Sequence, residues 1–216
     1  MMHRVLRLGR TRHVSDYLRK IVPGVFLQEL CSRPGAIGAI CPSSPFLARQ
    51  MARQIDPGAD GLVIELGAGT GAITQALLRR GIAPQRLLVV EHCPAFVARL
   101  RKRYPQLNIV HGNAADLGQF VPQGQRVDAI VSSLPLCSLP EPLAQAILQQ
   151  WQHLLHDHGI AVQFTYNLRR PKWRNFTAAR QTASRIVWAN LPPASVGTYS
   201  FKTEKLAAPL HEHATP

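Results

Sequence analysis

The run Leu62-Val63-Ile64-Glu65-Leu66 passes directly into Gly67-Ala68-Gly69-Thr70-Gly71, and helical spacing resumes at Ile73. Few folds accommodate an apolar strand that turns through three alternate glycines into a helix. Glycine permits the tight turn and lets a ligand approach backbone where a side chain would collide. The next apolar run, Leu87 to Glu91, ends in an acid twenty residues past Gly71, where a carboxylate accepts hydrogen bonds from both hydroxyls of a ribose. Dinucleotide loops follow G-x-G-x-x-G, but here Ala72 and Ile73 follow the third glycine, and the charge of Glu65 opposes a pyrophosphate. Adenosine attached to a zwitterionic methionine suits the loop better.

The remaining sequence repeats the same alternation. Leu87 to Glu91, Asn108 to His111, Val127 to Val131 and Ile160 to Tyr166 read as strands. Phe46 to Ile55, Ile73 to Arg80, Ala95 to Tyr104 and Pro142 to Leu155 read as helices, the first with Ser44 as N-cap and Pro45 at the first helical position. Strand and helix in alternation predict an α/β, Rossmann-like fold: a mostly parallel central sheet with helices on both faces. Such sheets bind ligands beyond the carboxyl ends of their strands.

A chain of 216 residues suits one such domain, placed at 31–203, with a basic amphipathic helical segment at 1–30 and a flexible tail at 204–216. In the first segment Arg4, Arg7, Arg10, Arg12, Arg19 and Lys20 face a single acid, Asp16, while Val14, Tyr17, Leu18, Ile21 and Val25 recur at helical intervals. That pattern fits either a helix packed on its own domain or one lying in a membrane interface. A net charge of +13 calls for an anionic partner without choosing among phosphate backbone, bilayer and acidic protein. Cys31, Cys41, Cys93 and Cys137 form no metal-ligand spacing, so no metal is expected, and a reducing compartment fits them. No apolar run is long enough to cross a bilayer.

Glu65-Leu66-Gly67-Ala68-Gly69-Thr70-Gly71 together with Glu91 resembles the cofactor site of class I methyltransferases. The resemblance implies S-adenosylmethionine as cofactor, with Glu65, Gly67, Ala68, Gly69 and Gly71 at its methionine part and Glu91 on its ribose. After strand three, Gly112-Asn113-Ala114-Ala115-Asp116 stands where these enzymes meet adenine. Asn113 with Ala114 is the preferred reading, and Asp116 is either the alternative contact or a cap.

Strand four ends in Val131-Ser132-Ser133-Leu134-Pro135-Leu136. Nucleic-acid amino-methyltransferases carry an aromatic at the Leu136 position to stack the base, and leucine has no such face. Over about Phe26 to Tyr166 the chain is similar to soluble bacterial phosphatidylethanolamine N-methyltransferases. Gly38-Ala39-Ile40-Cys41-Pro42-Ser43-Ser44, the glycine loop, Val110-His111-Gly112-Asn113-Ala114, Ser132-Ser133-Leu134-Pro135 and Gln163-Phe164-Thr165-Tyr166 carry that similarity. It implies stepwise methylation of a phospholipid amine, with Ser132, Ser133 and Tyr166 shaping the amine site and Ser132 also bordering the cofactor. It further implies an anionic membrane surface as partner of the N-terminal segment, and a cytoplasmic, peripheral location on the inner face of the membrane. The basic stretch Arg169, Arg170, Lys172, Arg174, Arg180 and Arg185, with Trp173, Phe176 and Trp188 between, suits lipid phosphates and RNA alike. Two other readings stay open: an rRNA adenine N6-methyltransferase, and a non-catalytic lipid- or RNA-binding module that keeps the cofactor loop.

Overall fold

The computed structural model describes residues 43–167, 173–174 and 177–201. The expected N-terminal helix, the Gly38 to Pro42 part of the small-residue motif, Arg169, Arg170, Lys172, Phe176 and the C-terminal tail lie outside the described residues.

Ser44 opens α1 (Pro45–Ala52) as predicted, its hydroxyl accepting the amide of Leu47 at 3.2 Å. The helix stops three residues short of the predicted Ile55. There follow β1 (Leu62–Leu66), α2 (Ala72–Arg80), β2 (Leu87–Glu91), α3 (Pro94–Arg103), β3 (Asn108–His111), β4 (Val127–Ser132), α4 (Glu141–Leu154), β5 (Leu155–Thr165), β6 (Arg180–Val187) and β7 (Ala194–Ser200). The seven strands form one sheet in the order β3-β2-β1-β4-β5-β7-β6. The pairs β1–β2, β2–β3, β1–β4 and β4–β5 are parallel, whereas β7 runs antiparallel to both β5 and β6.

Side-chain alternation along each strand divides the core in two. Val63, Leu87, Val89, Ala129, Val131 and Val162 pack against Leu47 and Met51 of α1, Ile73 and Leu77 of α2, and Val97 and Leu100 of α3. Ile64, Leu66, Leu88, Val90, Ile130 and Ala161 pack on the other face against Leu117 and against Ile147, Leu148 and Trp151 of α4. The same period of two directs Glu65, two residues after Val63, and Glu91, two after Val89, to the α1–α3 face. Both acids are thus carried to the carboxyl edge by the strands that build the core.

The opposite edge is tied by a single carboxylate. Asp128 accepts the Gly61 amide at 2.6 Å, Arg126 Nε at 2.9 Å and His156 Nε2 at 3.0 Å, with Arg86 Nη2 at 3.7 Å. These contacts fix the starts of β1, β4 and β5 relative to one another.

Three strands depart from expectation. β5 begins at Leu155 rather than Ile160, because the register shifts: Val127 pairs with Leu155 and Ala129 with Ile160. β6 and β7 have no counterpart in the sequence reading. Only Val187 of β6 is buried, so this edge strand shows no apolar alternation, and β7 carries small residues around Gly197.

Candidate functional site

The carboxyl ends of β1, β2, β4 and β5 meet at one edge of the sheet, and the glycine loop is fastened there by backbone bonds. The Gly67 amide donates to the Val90 carbonyl at 2.9 Å, Gly71 to Ala68 at 2.8 Å, and Ser133 to Leu66 at 2.9 Å. Gly67, Gly69 and Gly71 have φ of 72°, 52° and 84°, a region L side chains avoid. Their surroundings differ. A Cβ on Gly71 would come within 2.9 Å of Leu100 Cδ2 and 3.2 Å of Tyr104 Cε2, whereas a Cβ on Gly69 would meet nothing within 4 Å.

That contrast separates two variants. Gly69→Ala is expected to cost only the left-handed strain, about 1 kcal/mol, while blocking the space above the loop and weakening cofactor binding tenfold or more, roughly. Gly71→Ala adds overpacking against α3 and should lose about 2–4 kcal/mol of stability. Denaturant unfolding and cofactor titration of both variants check the pair; equal stability losses would contradict it.

Glu91 holds the loop as well as facing the site. One of its oxygens accepts the Gly69 amide at 2.9 Å and the other the Cys93 amide at 2.8 Å. A carboxylate oxygen has a second lone pair, so each can still accept a hydroxyl from a ligand. Glu65 is different. It is wholly buried, and neither of its oxygens has a hydrogen-bond partner. Burial raises its pKa from 4.5 to about 8; the hydroxyl and amide of Thr74 approach without closing a bond and offset burial in part, and the charge of Glu91 adds slightly to the rise. The Thr74 hydroxyl, at the first turn of α2, is also buried without a partner. An unpaired carboxyl and hydroxyl beneath an open glycine loop fit a ligand that brings a cation to them.

Asn113 follows β3, and its side-chain oxygen accepts the Ala115 amide at 3.0 Å, capping the short 3-10 turn at Ala114–Gln119. The cap is therefore Asn113 and not Asp116, which sits inside that turn. Ala114 is buried beside it. His111 closes the end of β3 through a ring nitrogen 2.9 Å from the His92 carbonyl, a structural role.

The third part of the site lies between the ends of β4 and β5, where Ser133, Leu134, Gln163, Thr165, Tyr166 and Trp173 line a cavity of about 270 Å³. Ser132 is fully buried, and its hydroxyl accepts the Leu134 amide at 3.2 Å, turning the chain after β4. Ser133 is half-buried at the cavity wall. Tyr166 packs edge-on against Phe164, with ring centres 5.5 Å apart, on the α1–α3 face. Of the predicted amine-site residues, Ser133 and Tyr166 thus line one cavity, whereas Ser132 is buried behind it and is not part of its lining.

In the sequence Gln163 figures only as part of the Gln163-Phe164-Thr165-Tyr166 motif, with no role assigned to it, yet it occupies the middle of this arrangement. Its amide nitrogen donates to Leu134 O at 3.0 Å and Phe164 O at 2.7 Å, which aims the other end of the amide elsewhere. That oxygen is buried without a partner. The signal was present: one polar residue within the buried run Ile160-Ala161-Val162-Gln163-Phe164. Leu136 is buried in the α4-side core and offers no face to a flat ring.

A family model described as a methyltransferase domain matches residues 63–159. The ornithine lipid N-methyltransferase of Singulisphaera acidiphila is 34% identical over 146 residues, spanning 65% of this chain and 76% of that one. The ribosomal RNA small subunit methyltransferase A of Cupriavidus pinatubonensis is 36% identical over 112 residues, which cover 50% of this chain but only 38% of that protein. Among solved structures, the 1,6-didemethyltoxoflavin-N1-methyltransferase of Burkholderia thailandensis, with S-adenosylhomocysteine bound, superposes with a TM-score of 0.62 at 15% identity, covering 92% of this chain and 94% of that one.

Proposed function

This chain belongs to the class I S-adenosylmethionine-dependent methyltransferases, and from that premise we propose that it methylates the head-group amine of a membrane phospholipid, phosphatidylethanolamine or its partly methylated forms. The observation that carries the proposal is the acceptor side of the site. Its cavity is lined by Gln163, whose amide oxygen is buried without a partner, and Leu136 is buried where a base-modifying enzyme needs an aromatic. A small amine fits that slot better than a flipped adenine. The similarity to an ornithine lipid N-methyltransferase supports the same class of acceptor.

When bound, S-adenosylmethionine supplies a methyl group made electrophilic by its sulfonium. Glu65, Gly67, Ala68, Gly69 and Gly71 would hold its methionine part, Glu91 its ribose, and Asn113 with Ala114 its adenine; Ser132 borders the same edge. The protein's remaining task is to present the amine in line and without its proton. Burial in the cavity favours the neutral amine. For a primary or monomethylated amine Gln163 Oε1 would accept the N–H left on nitrogen and so turn the lone pair toward the donor, and Tyr166 would face the positive charge that grows on nitrogen through its ring in every round. Ser133 would line the entrance.

On this reading the protein works at the inner surface of the cytoplasmic membrane, drawn there by the segment from Arg4 to Lys20, each well-placed cation contributing about 1 kcal/mol near an anionic surface. Transfer of labelled methyl from S-adenosylmethionine to phosphatidylethanolamine liposomes, run beside ribosomal RNA at equal salt, tests the proposal. Label in mono-, di- or trimethylated lipid is expected. Label in RNA alone, falling steeply with salt, would replace it with adenine methylation. Cofactor binding with no acceptor labelled would sink both.

A further inference from the structure

All four exposed large hydrophobic residues among the described ones lie on two elements: Phe46 (53% exposed) on α1, and Ile186 (39%), Trp188 (72%) and Leu191 (86%) on β6 and the turn after it. The register places that turn. Thr165, the last residue of β5, pairs with Ser195 near the start of β7, and Ala194 pairs with Val187 at the end of β6. Residues 188–193 therefore stand level with the carboxyl end of β5, on the edge where the site opens.

The turn is also fixed to α1. The buried Asn190 accepts the Ser44 amide at 3.2 Å through Oδ1 and donates to the Pro192 carbonyl at 2.7 Å through Nδ2. One side chain thus holds the turn against the N-terminus of α1, two residues from Phe46. Trp188 and Leu191 flank this buried anchor in sequence and both point to solvent.

The two segments that form this corner carry charge of one sign. Residues 43–55 and 177–201 contain no Asp or Glu; Arg49 and Arg185 are exposed toward the corner, while Arg180, paired with Ser200, stands at the other end of β6. The Arg49 guanidinium lies 5.6 Å from the centre of the Phe46 ring, so cation and apolar face are presented together. Exposed tryptophan, leucine and phenylalanine among arginines match the boundary of an anionic bilayer, where aromatic rings settle and cations meet lipid phosphates. Acidic counter-residues, which a protein partner of mixed charge would be expected to meet, are missing from both elements.

We propose that the corner formed by Phe46, Trp188 and Leu191 enters the interface of an anionic bilayer and sets the carboxyl edge of the sheet against the lipid. This rests on the lipid-methylation reading and goes beyond it: membrane contact is assigned to the catalytic domain itself, separately from the N-terminal segment.

The sequence contains three tryptophans, and Trp151 and Trp173 are 0% and 1% exposed, so a change in environment on binding reports on Trp188. The full chain is titrated with vesicles of phosphatidylethanolamine and phosphatidylglycerol, with and without brominated acyl chains. Expected are a blue shift and bromine quenching in the natural protein, and loss of both in Trp188→Phe, which keeps an apolar ring and still binds. The double variant Trp188→Asp, Leu191→Asp is expected to lose vesicle affinity about a hundred-fold, since each side chain gives up most of its apolar transfer energy. Its thermal melt and cofactor affinity should be unchanged.

Vesicle binding that leaves Trp188 unquenched would overturn the proposal, as would no vesicle binding at all. A blue shift that depends on protein concentration without vesicles would assign the corner to a second copy, and shielding by RNA but not by vesicles would assign it to nucleic acid; either overturns it. Methylation of a short-chain, monomeric phosphatidylethanolamine keeps the two readings apart. If that lipid is methylated while Trp188 stays in water, the membrane corner fails and the acceptor stands. If Trp188 inserts and no lipid amine is methylated, the corner stands and the acceptor fails.

Discussion

Replacing Glu65 by glutamine is expected to lower S-adenosylmethionine affinity about a hundred-fold at pH 8 and to remove most of its dependence on pH. Glu65 lies wholly buried with both oxygens unpaired, and its pKa is raised to about 8 chiefly by that burial. Near neutrality the empty site therefore holds a proton on this carboxyl. A cationic ligand group beside it favours the ionised form, so binding below pH 8 must expel the proton. Each unit of pH below that value then costs about 1.4 kcal/mol of binding, a tenfold loss in affinity. Titration calorimetry in buffers of different ionisation enthalpy should show close to one proton released by the natural protein at pH 6.5 and none by Glu65→Gln. Equal proton release by both proteins would remove Glu65 from the ligand's cationic end.

The same residue shapes the stability of the empty protein, with a defined sign. The unfolded chain ionises Glu65 near 4.5 and the folded chain near 8, so between these values the native state carries the extra proton. Its contribution is complete below pH 4.5 and declines as pH rises through 8. Glu65→Gln, which has nothing to ionise, escapes that decline and should unfold at higher denaturant than the natural protein at pH 8. A variant that is more stable and binds worse marks a residue kept for its ligand rather than for the fold.

The parts of this molecule that were readable from sequence share a physical cause. β1 and β2 match their predicted bounds because each is a short buried run closed by a turn, at Gly67 and after Glu91, and β3 because its apolar pair Ile109-Val110 is bracketed by the polar Asn108 and His111. The glycine loop was readable because positive φ leaves glycine as the one comfortable residue. β6 and β7 were hidden for opposite reasons. An edge strand whose side chains face water needs no apolar residues, and a strand covered on both sides by neighbours can be built from Ala, Ser, Gly and Thr. Thr74 went unread, and Gln163 had no role beyond its motif, because the significance of each is an atom without a partner, which exists only once the surrounding bonds are counted. Asn113 shows the same limit. Its identity suggested a ligand contact, but the structure shows that one lone pair of its oxygen already serves the Ala115 amide.

The second large effect is expected at Glu91, whose carboxylate fastens the loop and, on the proposed function, also accepts the ribose hydroxyls. Glu91→Ala leaves the Gly69 and Cys93 amides without acceptors, which should cost about 1–3 kcal/mol of stability, chiefly at the buried Cys93 amide, since the Gly69 bond is only partly buried. On the proposed function it also removes the anionic acceptor for two ribose hydroxyls, worth about 1.5–3 kcal/mol each, so cofactor affinity should fall about a thousand-fold. Loop collapse alone would produce a loss of the same direction, so the decisive comparison uses the 2′-deoxy analogue of S-adenosylhomocysteine. In the natural protein, loss of that hydroxyl should weaken binding about tenfold or more. In Glu91→Ala it should change little, because the partner is already absent. If the deoxy penalty is the same in both proteins, Glu91 acts only by holding Gly69 in place. If the penalty disappears with the carboxylate, the residue that fixes the loop is also the one that reads the ribose, and the geometry of the turn and the recognition of the ligand reside in the same two oxygens.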